Sequence, residues 1–289
     1  MDLPASVTAL GEQLGGTGEI MPDPALFSEA AVFAAERERI FARPWIAADH
    51  ATRLAEDGRY FRFDADSRSI IVTRDGEGGL HALRNVCIHA GYPVCDAEEG
   101  AAERLICPYH GWEFALDGRL VEPELSSRID PSRLRMARYP VSVRNGLIFV
   151  DLSGKADADE LGAVSLPDWL TFAQVTRRGR YSTTWNWKFL RHFLRSSPDL
   201  LFDGACEDSI DFGPLSFLFV QSAQAVLVRV IPKFAEQTDC HVIELAAEGA
   251  ADSPAANALA EGLRRAEVSG SWFNRDSADW YWSLMSADG

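Results

Sequence analysis

Long apolar runs are missing from this chain of 289 residues: none approaches the roughly 18–20 positions a membrane-spanning helix requires. The first eighteen residues are acidic and glycine-rich, without the basic start and apolar stretch of a secretory signal. Basic residues are scarce as well: 28 Lys and Arg against 43 Asp and Glu leave a net charge of −15. That balance argues against nucleic acid or an anionic membrane as the main partner. An acidic surface suits docking of a basic redox partner, though acidity also serves solubility alone. Histidine and cysteine number only six and five. An odd, uneven set of cysteines does not make a disulfide scaffold and points to a reducing compartment and metal binding. These absences predict a soluble, cytoplasmic protein, and eight Trp and 16 Phe supply its cores.

Three segments follow from texture. Residues 1–42 read as a loose arm over 1–20 and then an entry helix. Asp23 caps that helix, Pro24 stands at its first position, and Leu26, Phe27, Phe33, Ile40 and Phe41 carry it to Ala42. Residues 43–155 read as a small all-β unit, with strands over 60–63, 69–73, 80–84 and 147–151 broken by turns such as Asp75-Gly76. Lys155 to Gly162 is polar and reads as a linker. Residues 156–289 read as α+β, with strands near 181–185, 216–221, 225–231 and 241–246 and helices near 187–194 and 255–267.

The chemistry is concentrated between Cys87 and Leu120. Cys87-x-His89 is followed by 17 residues and then Cys107-x2-His110. Each half is a short loop offering one thiolate and one imidazole. A Rieske [2Fe–2S] cluster takes two cysteines on one iron and two histidines on the other. A Cys2His2 zinc site uses the same residue types but prefers like ligands paired within each loop. Gly111 permits a tight turn, and Tyr109 and Trp112 are counted with the cofactor-binding residues. Cys95 is read as a buried small hydrophobe.

The segment CPYHGWEFALDGRL, with CIHAG before it, resembles the Rieske domain of Rieske non-heme iron oxygenase α-subunits. Upstream, DPALFSEAAVFAAERERIFARPWIAADH resembles that family's entry helix and first strand, with Glu36, Ile40, Phe41, Trp45 and His50 among the matches. Downstream, Trp185-Asn186-Trp187-Lys188 resembles the opening of its catalytic domain, and PKFAEQTDCHVIEL one of its later strands. Ala90-Gly91 departs from the family's usual Arg-Gly. The resemblance implies an α+β chain: an all-β Rieske domain followed by a truncated, helix-grip-like antiparallel sheet with helices.

It also implies a second metal, a mononuclear Fe(II) on two His and one carboxylate, written in the family as Asp-x2-His-x4-His shortly after Asn-Trp-Lys. Here Asp199 aligns with the bridging Asp, while Phe202 and Glu207 stand where the two His belong. His192 and His241 lie outside the pattern, Asp276 and Asp279 are unconvincing as the distal carboxylate, and 82 residues follow Glu207. The expectation is that mononuclear iron is absent, and that Asp199 is either an electron-bridge residue, a helix N-cap or a plain surface acid.

The leading expectation is therefore a Rieske subunit of a multicomponent oxygenase. It accepts electrons from a ferredoxin or flavin-containing reductase and passes them to, or assembles with, a catalytic α-subunit, as a trimer- or hexamer-based hetero-oligomer. The alternatives are a complete mono- or dioxygenase or demethylase with a non-standard iron site, drawing on Glu207, Asp203 or Asp208, and a freestanding ferredoxin-like carrier. The aromatic tail SWFNRDSADWYWSLM is a candidate contact surface or part of the chain's own core.

Overall fold

In the stretch 59–65, Phe61, Phe63 and Ala65 are buried and alternate with less buried Tyr60, Arg62 and Asp64, which is the pattern of a half-buried strand. The computed structural model builds its first unit, Pro44–Phe172, from such strands. They are β1 (Ile46–His50), β2 (Arg59–Ala65), β3 (Arg68–Arg74), β4 (Leu80–Arg84), β5 (Glu99–Ala101), β6 (Arg104–Ile106), β7 (Glu113–Ala115), β8 (Arg138–Tyr139), β9 (Val141–Arg144) and β10 (Leu147–Val150). Their order is β5-β2-β3-β4-β8 in one sheet and β1-β10-β9 in another, with β6-β7 as a separate hairpin; every pairing is antiparallel. Residues 2–42, 45–121, 134–154, 161, 164–202, 204–250, 261–262 and 272–287 are described.

The second unit joins Met1–Arg43 to Ala173–Gly289. Its helices are α1 (Ala5–Leu14), α2 (Ala25–Ser28), α3 (Ala30–Arg39), α4 (Trp187–Ser196) and α5 (Arg275–Ser286). Its sheet is β11 (Gln174–Thr183), β12 (Asp208–Phe212), β13 (Ser216–Gln221), β14 (Gln224–Phe234) and β15 (Gln237–Ala246), ordered β11-β15-β14-β13-β12 and antiparallel throughout. One sheet face contributes Phe217, Phe219, Val226, Val228, Cys240 and Val242 to a core shared with the helices. The chain is thus α+β, mostly antiparallel sheet with few helices.

Several expectations are corrected. The first twenty residues are not a loose arm: α1 buries Val7 and Leu10 and packs against α5. Gly11 serves close approach there, since a Cβ on it would meet the Trp282 ring at 2.5–2.8 Å. The entry helix is broken at Glu29, whose extended backbone (φ −78°, ψ 129°) separates α2 from α3; the Asp23 carboxylate accepts from Ala25 N at 2.9 Å. The boundary after the first unit falls at Phe172 and not near 155, and residues 1–43 belong with the C-terminal sheet. Of the two readings of the aromatic tail, packing on the chain's own core holds for Phe273, Tyr281 and Met285, which are buried. The proposed linker 155–162 and helix 255–267 lie almost wholly outside the described residues.

A buried ionic knot fastens α3 to α4 and α5. Glu36 Oε1 accepts from Lys188 Nζ at 2.5 Å and from the Tyr281 hydroxyl at 2.7 Å, and Oε2 accepts from Trp187 Nε1 at 2.8 Å. Burial, with the Glu36 charge beside it, pushes the Tyr281 phenol up, so it stays protonated and donates. Burial pulls the Lys188 ammonium down while Glu36 holds it up. Asn186 caps α4 by accepting from Lys188 N at 3.0 Å and ties Phe27 and Ala235 carbonyls through its Nδ2. The Asn-Trp-Lys signature is therefore a structural clip in this chain.

Candidate metal centre

Two loops carry the Cys/His motif, one after β4 and one between β6 and β7, and they share one backbone design. Cys87 N donates to Tyr92 O at 2.8 Å and Gly91 N to Cys87 O at 2.9 Å; Cys107 N donates to Trp112 O at 2.8 Å and Gly111 N to Cys107 O at 2.9 Å. Gly91 and Gly111 both have φ +72°, in the left-handed region where glycine is at no disadvantage. Each loop thus turns back on itself over six residues, with its cysteine at the start.

The thiols and imidazoles separate by depth. Cys87 and Cys107 are buried at the edge of a core that includes Leu83, Leu105, Phe114 and Met136. His89 and His110 are exposed, with ring centroids 4.8 Å apart. His89 stacks on Trp112 of the opposite loop at 4.6 Å and 7°, and Tyr109 lies against His110 at 3.9 Å and Tyr92 at 5.3 Å. Burial pushes the Cys87 thiol up; backbone amides of His89 and Ala90 donate to its sulfur and pull the other way, while the adjoining Cys107 sulfur adds to the rise. A donor set with two sulfurs inside and two imidazoles outside fits a two-iron cluster held by thiolates on one iron and imidazoles on the other. A lone zinc would need its ligands gathered about a single point. Among the described residues no three His, Cys, Asp or Glu side chains converge in that way.

Sequence reading missed Asn85, because an Asn at a strand end reads as an ordinary turn former. Its Oδ1 accepts from Val94 N and Cys95 N, both at 2.9 Å, and its Nδ2 donates to Cys95 O at 2.7 Å and Ser69 Oγ at 3.2 Å. The fully bonded amide closes the chain beneath the first loop. Asn85→Ala leaves buried backbone groups unpaired, at roughly 1–3 kcal/mol each. The expected outcome is faster bleaching of the reconstituted protein's visible absorption on warming; a rate equal to the parent's would remove Asn85 from the account. Cys95 is buried, with its Sγ 3.5 Å from Ala97 O.

The positions aligned with the mononuclear site are scattered in role. Asp199 is exposed in a short 3-10 turn, Pro198–Leu201, whose N-cap is Ser197 rather than Asp199, and its Oδ1 accepts from Cys206 N at 2.7 Å. Phe202 is buried in the core of the second unit. Glu207 is exposed and accepts from Ser222 N at 2.9 Å and Ser222 Oγ at 2.8 Å, contacts that hold its carboxyl below the usual range. Asp208 opens β12 and Asp203 lies outside the described residues. His192, on α4, has Nε2 3.3 Å from Ser196 Oγ, and His241, on β15, has Nδ1 3.0 Å from Arg229 Nη2. Among the described residues no helix is long and apolar enough to cross a membrane.

Residues 44–140 match the family model of the Rieske [2Fe-2S] domain. The chain is 31% identical over 215 residues to a chloroplastic choline monooxygenase of Beta vulgaris, covering 67% of this chain and 47% of that protein. It is 30% identical over 152 residues to the glycine betaine monooxygenase oxygenase subunit of Chromohalobacter salexigens, covering 52% and 34%. It spans about half or less of the length of these curated relatives. In fold it is similar to the quaternary ammonium Rieske monooxygenase CntA, with TM-score 0.67, 20% identity and coverage of 91% and 83%. It is also similar to naphthalene 1,2-dioxygenase from Rhodococcus sp., with TM-score 0.65, 18% identity and coverage of 97% and 85%. Residues 44–140 thus belong to the Rieske [2Fe-2S] domain family, and the chain is similar in sequence to oxygenase components that carry this domain.

Proposed function

We propose that the chain is the cluster-bearing component of a Rieske-type oxygenase, an oxidoreductase that passes single electrons toward an oxygen-activating iron. The observation that carries this reading is the pairing of two equivalent loops with their thiols buried and their imidazoles exposed. Cys87 and Cys107 would hold one iron and His89 and His110 the other. A cluster so held supplies one-electron storage and transfer, at a potential raised by its neutral imidazole ligands. The chain's residues do the positioning: Trp112 fixes the His89 ring by stacking, and the loop glycines set the two ligand pairs at one tip. The exposed His edges leave a short approach for a ferredoxin or flavin-containing reductase. The odd, uneven set of cysteines, none in a disulfide among the described residues, supports a reducing compartment such as the cytoplasm.

The place of the oxygen-activating iron divides two readings. In the first the chain is itself a mono- or dioxygenase or demethylase. The names of its relatives favour this: choline monooxygenase, glycine betaine monooxygenase oxygenase subunit, and N,N-dimethyl phenylurea N-demethylase subunit alpha. They fit a complete oxygenase better than a subunit confined to electron transfer. Iron ligands would then depart from the family pattern, since Phe202 has no ligating atom and is buried in the core. In the second reading the iron belongs to a partner α-subunit in a hetero-oligomer, and Phe202 in the core and Glu207 bound to Ser222 favour it. Anaerobically reconstituted chain, supplied with a reductase and with choline or glycine betaine, separates them. A third iron and product from this chain alone support the first, and turnover only on adding a partner α-subunit supports the second.

The cluster assignment has its own test. His110→Cys adds a thiolate's negative charge and should retain a cluster of lower potential. The expected drop is roughly 100 mV or more, about half the gap of roughly 250 mV between plant-type ferredoxin clusters and the lowest Rieske centres. A potential unmoved in protein-film voltammetry would remove His110 from the ligand set.

A further inference from the structure

A cavity of about 580 Å³ opens in the second unit between the polar face of α4 and the start of α5. Pockets of this size, walled by aromatic side chains with a few converging polar groups, are the usual form of small-molecule sites. Here Trp272 and Trp280 line one side, with the Arg191 guanidinium lying over the Trp280 ring at 3.7 Å, and Arg195 lines the cavity from α4 as well.

The charges at this cavity are unevenly matched. Arg191 and Arg195 share one carboxylate, Asp211, with Arg191 Nη2 3.2 Å from Oδ2 and Arg195 Nη1 bonded to Oδ1. Arg191 Nε is buried and makes no hydrogen bond among the described residues. Burial pulls the Arg191 guanidinium down to about 10, with Asp211 opposing and Arg195 adding to the fall. Lys188 also borders the cavity, but its charge is taken up by Glu36. The His192 ring is held below its ordinary value by burial and by Arg191, so it adds little positive charge near neutral pH. Asp276 is exposed in the first turn of α5, where the helix's own N-terminal field takes up a carboxylate. Ser277, from the same turn, lines the cavity beside the N-cap Asn274.

We propose that this cavity binds a small organic carboxylate with a flat apolar body, its carboxylate on Arg191 and Arg195 and its body on the Trp272 side of the cavity. A second carboxylate would relieve the sharing of Asp211 between two guanidiniums, and charge-assisted hydrogen bonds to guanidinium are among the stronger polar contacts. The site holds wherever the oxygen-activating iron lies.

Calorimetry and tryptophan fluorescence on the full chain with phenylacetate test it, with 2-phenylethanol and benzyltrimethylammonium as neutral and cationic counterparts. Phenylacetate is expected to bind one per chain, and the alcohol and the cation at least about tenfold more weakly. Arg195→Gln should weaken phenylacetate about tenfold, whereas Asp211→Asn, which frees both guanidiniums, should tighten it. Equal or better binding of the alcohol or the cation, no saturable binding, or both variants moving the same way would overturn the proposal. The visible spectrum of the same samples reports the cluster separately, so a failure here is distinct from a failure of the cluster assignment.

Discussion

Cys107→Ser is expected to yield protein without iron–sulfur absorption, and Cys87→Ser likewise, while Cys95→Ser keeps the spectrum of the parent. The contrast follows from geometry. Cys87 and Cys107 open the two matched loops with their sulfurs adjoining. Cys95 is also buried but stands on the chain held by Asn85, with its Sγ near the Ala97 carbonyl. Losing either loop cysteine removes half the thiolate ligation of one iron, which a serine hydroxyl replaces poorly. Absorption and labile-sulfide assays on the three variants check this. A cluster surviving in Cys107→Ser, or lost in Cys95→Ser, would mean that the ligand set has been misassigned.

Lys188→Met is expected to destabilise the second unit by about 3–5 kcal/mol, the range for removing one partner of a buried ion pair. Both side chains of the Lys188–Glu36 pair are 1% exposed, so the remaining carboxylate would keep only Trp187 and Tyr281 as donors. Replacing both charges, as Glu36→Gln with Lys188→Met, should recover much of the loss, because a buried pair is often no better than well-packed neutral groups. Denaturant unfolding followed by tryptophan fluorescence measures both variants. A single variant within about 1 kcal/mol of the parent, the scale of an exposed pair, would show that the knot contributes little.

The Rieske domain was legible in the sequence because its motif is local: two Cys, two His and two glycines fall within 25 residues, from Cys87 to Gly111. Of the first unit's strands β2, β3, β4 and β10 were legible, and in the second β13, β14 and β15, from alternation and from runs of β-branched and aromatic residues. What escaped depends on distant partners. The first eighteen residues are glycine-rich and looked unstructured, yet Gly11 of α1 is required by Trp282, some 270 residues away in sequence. β12 is an edge strand with polar Asp208, Ser209 and Asp211, so no apolar period marks it. Glu36 and Lys188, both charged, gave no sign of being core residues, since burial of a charged pair is set by tertiary packing that no local pattern reports. Phe202 was legible as a non-ligand by chemistry alone, and its burial adds the structural use it has instead.

The central claim is a two-iron cluster held by Cys87, His89, Cys107 and His110. Iron and acid-labile sulfide should be measured per chain on anaerobically purified protein, together with the visible spectrum. The account predicts at least two irons and two sulfides per chain, with both sulfides lost on Cys107→Ser. A single zinc with no labile sulfide would contradict it.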